Sequence, residues 1–98
     1  MNNQDFKVGQ QVRWSSQAGG STRAKLGRVI MVVPAGVGGA EKAHAFIRER
    51  ELAKTHRSAF GGGWDRPEQS YVVEVAGKGP KARPVLYWPR TASLQPAP

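Results

Sequence analysis

Basic and aromatic side chains lie close together at three places in this sequence. Arg13 precedes Trp14, Trp64 stands two residues before Arg66, and a third cluster lies near the C-terminus. Nucleic-acid grooves combine cations, which contact phosphates, with aromatic faces, on which bases stack. The pattern therefore favours a nucleic-acid interface. The residues that we expect to bind nucleic acid or another partner are Arg13, Arg28, Trp64, Arg66, Arg83, Trp88 and Arg90.

The residue types that support catalysis or metal binding are sparse. His44 and His56 are twelve positions apart, and the chain has no cysteine that could hold zinc as a thiolate. Asp65 and Glu68 are close in sequence, but an Asp before an Arg-Pro pair is more typical of turn capping. Because no nucleophile, acid–base pair or metal cluster is visible, we expect no enzymatic activity, no metal and no cofactor.

The net charge of +8 is concentrated in two outer segments. Residues 6–33 carry five bases and no acid, and residues 70–98 carry four bases and Glu74 alone. The middle segment, 34–69, has six bases and five acids, so it is nearly neutral. Such a surplus attracts polyanions. Nucleic acid, contacted with little sequence preference, is the leading interpretation. The alternative is a small protein-interaction adaptor or inhibitor that docks on an acidic protein surface.

Four short segments have the pattern of β-strands, at 11–16, 25–33, 70–75 and 83–88. Apolar and polar residues alternate in most of them, which is typical of half-buried strands. In the last segment Tyr87 and Trp88 fall on opposite faces. We expect one of these rings to be buried and Trp88, beside Pro89, to be displayed at the rim. A short helical turn at 91–94 and a frayed tail at 95–98 complete the prediction.

A long insert, 34–69, separates the second and third predicted strands. Residues 41–54 contain no Gly or Pro and are rich in helix formers, so they predict a helix of about three turns that covers one opening or one edge of the sheet. Three glycines, 61–63, follow this helix and precede Trp64. Glycines are needed where the chain turns with positive φ or where another group approaches the backbone closely. Whether Trp64 is buried or exposed stays open.

The segments KVGQQVRW, GRVIMVV, SYVVEV and VLYWPRTASL together resemble an SH3-like small barrel of the Tudor type. The sequence is similar to the bacterial family called the hypervirulence-associated Tudor-like domain, whose first strand is matched here by Lys7, Val8, Gly9, Val12 and Trp14. The resemblance lies outside the 34–69 insert. It implies a mainly β fold, a small antiparallel barrel of four to five strands. The chain departs from the family by its inserted helix between the second and third strands, and we expect a single domain over 1–98.

Related barrels suggest two further functions. Tudor-type domains capture methylated cations in aromatic cages, and Trp64, Asp65, Tyr71 and Trp88 are candidates for such a cage. The chain is also similar to the type II dihydrofolate reductases, which carry a Val-Gln-Ile-Tyr strand. Leu86 stands here in the place of that glutamine, so we do not expect reductase activity.

The sequence shows no signal peptide and no apolar run of the roughly 20 residues that a membrane helix needs. The longest apolar run is 29–33, and the chain contains no cysteine. We therefore expect a cytoplasmic protein. The family resemblance implies that a bacterium or a mobile element encodes it.

Overall fold

The computed structural model describes residues 5–18, 21–60 and 63–97, and within these ranges the protein is mainly β. There is one α-helix, α1, and no helix of the described ranges is long and apolar enough to cross a membrane. The strands are β1 (Gln11–Ala18), β2 (Ser21–Val33), β3 (Arg57–Ser58), β4 (Ser70–Val75), β5 (Val85–Tyr87) and β6 (Gln95–Pro96), and α1 spans Gly39–Glu49. Short 3-10 turns occupy Leu52–Lys54 and Thr91–Ser93.

The described strands form one sheet in the order β3-β5-β4-β2-β1-β6. All neighbouring pairs are antiparallel except β3 and β5, which are parallel. The sheet therefore differs from the predicted antiparallel barrel: it has six strands, and it is not closed. The two extra strands, β3 and β6, are only two residues long, so neither leaves a period-two pattern in the sequence.

Strand β2 is the longest and connects the two halves of the sheet. Its first part pairs with β1, from Ser21 to Arg28, and its last part pairs with β4, from Arg28 to Val33. Gly27 lies where these parts meet. The close approach of β4 requires a glycine there, because a Cβ would lie 2.6 Å from the backbone oxygen of Glu74. The β2–β4 register also shifts between Val29 and Met31.

The sheet buries side chains on both faces, in two clusters. The inner core is Phe6, Val12, Trp14, Val29, Tyr71, Val73 and Leu94. The outer core is Val33, Ala43, Val72, Leu86 and Trp88, with α1 packed over it. On β4, Tyr71 and Val73 enter the inner core while Val72 enters the outer core, which confirms the alternation predicted for that strand.

The helix is shorter than the predicted 41–54. It ends at Glu49, and Glu51 adopts a left-handed conformation with φ 54°, which breaks the helix before the 3-10 turn at Leu52–Lys54. Ala43 is fully buried and Ile47 packs against the outer core, so this face of α1 covers the sheet.

The C-terminal tail, predicted to be frayed over 95–98, is ordered over its described residues. Val12 pairs with Pro96, and the backbone N–H of Ala97 donates to the oxygen of Gln11 at 3.0 Å. Proline is tolerated here because β6 is an edge strand. The prediction of fraying was wrong because the pairing partner, β1, is more than 80 residues away in sequence. The predicted helical turn before the tail is present as the 3-10 turn at Thr91–Ser93.

Candidate basic groove

A groove of about 570 Å³ opens where the β2–β4 ladder ends. The last pair of that ladder is Arg28 and Glu74, and the chain leaves the sheet soon afterwards in the 76–84 loop. One wall of the groove is therefore strand β2 and the other is this loop. Its lining includes Leu26, Gly27, Arg28, Glu74, Ala82 and Pro84.

Exposed cations lie on the strands and the loop that form this groove. Arg28 lines it, and Lys78, Lys81 and Arg83 are exposed on its loop wall. Arg13 lies opposite Leu26 in the β1–β2 ladder, so these two residues share the exposed face of the sheet. The ion pairs between described residues do not involve the three loop cations. Their positive charge is therefore not offset by any acid that the structure describes.

Glu74, the acid in the groove lining, is held by two basic side chains. Nε2 of His56 lies 2.7 Å from Oε2 of Glu74, and Nη2 of Arg28 donates to Oε1 at 3.0 Å. The hydrogen bond from His56, helped by Arg28, lowers the pKa of Glu74, so the carboxylate stays ionised. The charge of Glu74 is thus balanced locally and does not cancel the loop cations.

A hydrogen-bonded chain continues beyond Glu74. Nδ1 of His56 lies 2.7 Å from Oγ1 of Thr55, and the imidazole side chain is 11% exposed. When His56 is neutral with its proton on Nε2, it donates to Glu74 and accepts from the Thr55 hydroxyl. No sequence pattern predicts this arrangement, because His56 and Glu74 are eighteen residues apart and are brought together only by the folded sheet.

The predicted site residues fall into two groups at opposite ends of β5. Arg28 lines the groove, Arg13 lies opposite the lining residue Leu26, and Arg83 lies between the lining residues Ala82 and Pro84, whereas Trp64, Arg66, Trp88 and Arg90 lie at the other end, where β5 leaves the sheet. Of the seven predicted residues, one lines the groove and two are adjacent to residues that line it. The second group does not belong to the same surface.

Trp88 is buried, which corrects the prediction that it is displayed at the rim. It is 6% exposed, and its Nε1 donates to Oγ of Ser70 at 2.7 Å. Tyr87 faces the inner core and Trp88 the outer core, so the predicted alternation is correct. The prediction of exposure was wrong because the insert packs over the second face of β5, with Phe60 in edge-to-face contact with Trp88.

Arg66 is engaged in holding the chain that follows β5. Its guanidinium donates to the oxygens of Pro89 at 2.7 Å and Trp88 at 2.8 Å. The same group lies 4.2 Å from the centre of the Trp88 ring. Burial lowers the pKa of Arg66, although it remains charged. Its contacts assign it to packing rather than to partner binding.

Trp64 is 85% exposed, and the residues on both sides of it explain its position. Gly63 has φ 71°, and a Cβ at this residue would collide with the Trp88 ring, so both reasons for a glycine apply here. Gly61 and Gly62 lie outside the described residues. Asp65 accepts the backbone N–H groups of Gly38 at 3.1 Å and Ala40 at 2.9 Å, which caps α1 and lowers the pKa of the carboxyl.

The aromatic cage proposed for Trp64, Asp65, Tyr71 and Trp88 is ruled out. Tyr71 is fully buried in the inner core, and Trp88 is buried in the outer core on the other face of the sheet. Rings on opposite faces of one sheet cannot surround the same cation.

Among the residues that the structure describes, no group of three His, Asp or Glu side chains could hold a metal ion. No known family model, curated protein or solved structure matches this chain.

Proposed function

We propose that this chain is a non-enzymatic binding module that contacts nucleic acid through the basic groove, with little sequence preference. The observation that carries this proposal is charge: Lys78, Lys81 and Arg83 are exposed, without a described acidic partner, on the loop that forms one wall of the groove, and the ionised Glu74 is already paired with Arg28 and His56. Contacts from such cations go to phosphates, which carry no sequence information.

The order of the strands supports a relation to the SH3-like domains of the Tudor type. The resemblance implies a last strand and a short turn led by a proline. Strand β5, Pro89 and the turn at Thr91–Ser93 supply these parts. The further strand β6, which pairs with β1, was not part of that expectation. We also propose that the protein is cytoplasmic, which suits a chain without cysteine. We propose further that a bacterium or a mobile element encodes it.

Salt dependence of binding tests the nucleic-acid proposal. A labelled oligonucleotide, single-stranded or duplex, is titrated at about 50 and about 200 mM salt, because each neutralised duplex phosphate adds about 0.9 to the log–log slope. The triple variant Lys78→Gln, Lys81→Gln, Arg83→Gln should lose affinity and reduce the slope by about 2–3.

A matched control removes the same amount of charge elsewhere. Lys42→Gln, Arg48→Gln and Lys54→Gln lie on the insert, and Arg48 and Lys54 already pair with acids. This triple variant should bind almost like the wild type. Equal losses in both variants would mean that net charge alone, rather than the groove, attracts the oligonucleotide. Absence of binding even at low salt would reject nucleic acid as the partner.

An acidic protein surface is the second candidate partner, and one observation favours it. Leu26 is 57% exposed on the groove wall, between Arg28 on its own strand and Arg13 on the neighbouring strand. An apolar side chain among cations fits a protein surface with both acidic and apolar residues. The same titration separates the candidates, because this one predicts no binding of oligonucleotide.

A further inference from the structure

The ladder with β1 determines to which side of β2 the backbone N–H and C=O groups of each residue point. The N–H of Val29 donates to the oxygen of Gln10 at 2.9 Å, and the N–H of Gly9 donates to the oxygen of Val29 at 2.8 Å, so the backbone groups of Val29 point to the β1 side. In an antiparallel strand, successive residues point alternately to the two neighbours. The backbone groups of Ala24 and Leu26 therefore point away from β1.

None of the described strands pairs with β2 on that side at Ala24 and Leu26. The ladder between β2 and β4 ends at Arg28 and Glu74, and no backbone hydrogen bond between the described loops and turns involves Ala24 or Leu26. Two N–H and two C=O groups thus point away from β1 without a partner in the described part of the chain, and one of the two residues, Leu26, lines the basic groove. An unpaired strand edge of this kind is a template for another strand.

We propose that this free edge of β2 binds an extended, acidic segment of another protein as an added strand. The added strand would form main-chain hydrogen bonds with Ala24 and Leu26, which is the mode called β-augmentation. Alternate side chains of the segment would then lie near Arg28 and the cations of the 76–84 loop. This inference uses from the proposed function only that the groove attracts an anionic partner.

The charges and the backbone together select this occupant. A second copy of the chain carries its own net charge of +8, which opposes pairing of two identical edges. Nucleic acid has phosphates for the cations but no strand backbone to pair with Ala24 and Leu26. An acidic peptide satisfies both requirements. It would also compete with nucleic acid for the same cations, so such a segment would regulate binding at the groove.

Amide hydrogen exchange tests the proposal at single residues. The probe is a short capped peptide of alternating Glu and Val. Without peptide, the amides of Ala24 and Leu26 should exchange freely, whereas the amide of Gly27, which points to β1, should be protected. With saturating peptide, exchange at Ala24 and Leu26 should slow by about tenfold or more. Ser15 is an internal control: its amide points away from β2, beyond the reach of β6, and should stay unprotected.

Two variants and a modified peptide separate backbone pairing from charge. Leu26→Pro removes an N–H that the β1 ladder does not use and should abolish peptide binding. Leu26→Ala keeps that N–H and should retain protection at Ala24. The same peptide with N-methyl groups at alternate residues keeps its charge and should fail to bind.

Lack of protection in the wild-type protein with saturating unmodified peptide overturns the inference, whether or not Leu26→Pro folds. Equal binding of the N-methylated peptide overturns it too. An oligonucleotide that binds while the peptide gives no protection leaves the proposed function standing and rejects the added strand. Peptide protection without oligonucleotide binding supports the added strand and rejects the nucleic-acid proposal.

Discussion

Replacement of Gly63 by alanine should destabilise the protein more than the same replacement at any other described glycine with positive φ. Gly63 has φ 71°, in the left-handed region, where an L-residue costs roughly 1–2 kcal/mol. The new Cβ would also lie 2.9 Å from Cε3 of Trp88 and closer still to Cζ3. The Trp88 ring must therefore move, although it is 6% exposed and packed against Phe60.

The size of the effect follows from what Trp88 loses when it moves. Its Nε1 donates to Oγ of Ser70, which is fully buried, and leaving such a pair unsatisfied costs roughly 1–3 kcal/mol. Together with the backbone strain, we expect Gly63→Ala to lower the free energy of unfolding by about 3 kcal/mol. With a urea m-value of about 1.5 kcal/mol per molar, the unfolding midpoint should fall by about 2 M.

Gly9→Ala is the matched control. Gly9 has φ 93°, further from the left-handed minimum than Gly63, but a Cβ there would have nothing within 4 Å. This variant carries only backbone strain and should lose roughly 1–2 kcal/mol. Urea unfolding, followed by far-ultraviolet circular dichroism, measures both variants. If Gly63→Ala is no less stable than Gly9→Ala, the close approach of Trp88 to the glycine loop is not a constraint, and the reasoning fails.

Two further predictions concern ionisable groups. The pKa of Glu74 is lowered from its ordinary value of 4.5, so its stabilising contribution is present above that value and is lost as the pH falls through the lower, folded-state pKa. Urea midpoints should therefore fall less steeply on acidification for Glu74→Gln than for the wild type. Parallel curves for the two proteins would contradict this. Arg66→Lys should lose about 1–2 kcal/mol of stability, because an ammonium cannot bridge the Trp88 and Pro89 oxygens while facing the indole ring. Arg90→Lys, an exposed control, should stay within about 0.5 kcal/mol of the wild type, and a similar loss in both variants would show that the bridge is not stabilising.

The strands were predictable where side chains alternate between two faces and produce a repeating pattern in the sequence. Tyr71, Val72 and Val73 alternate between the two cores as their spacing predicts, and the bounds of β4 agree with the prediction. The mainly β class and the presence of a helix within the insert could also be predicted from the residue composition and from the spacing of apolar residues. These features depend on local residue types, which a single sequence displays directly.

The features that the sequence did not reveal depend on contacts between distant segments. The burial of Trp88 could not be predicted from its own strand, because the residues that cover it, Phe60 and those of α1, belong to the insert. The pair of His56 and Glu74 forms only when β3 lies beside β5. The groove itself depends on the point where the β2–β4 ladder ends, and a strand pattern does not encode where pairing stops.

The inner core depends on segments from both ends of the described chain. It joins Phe6 to Leu94, whereas the outer core needs nothing beyond Trp88. A chain truncated after Trp88 would therefore keep every residue of the outer core but lack the leucine that packs with Phe6, Val12 and Trp14. Such a chain would present an unfilled apolar surface and would be prone to aggregate.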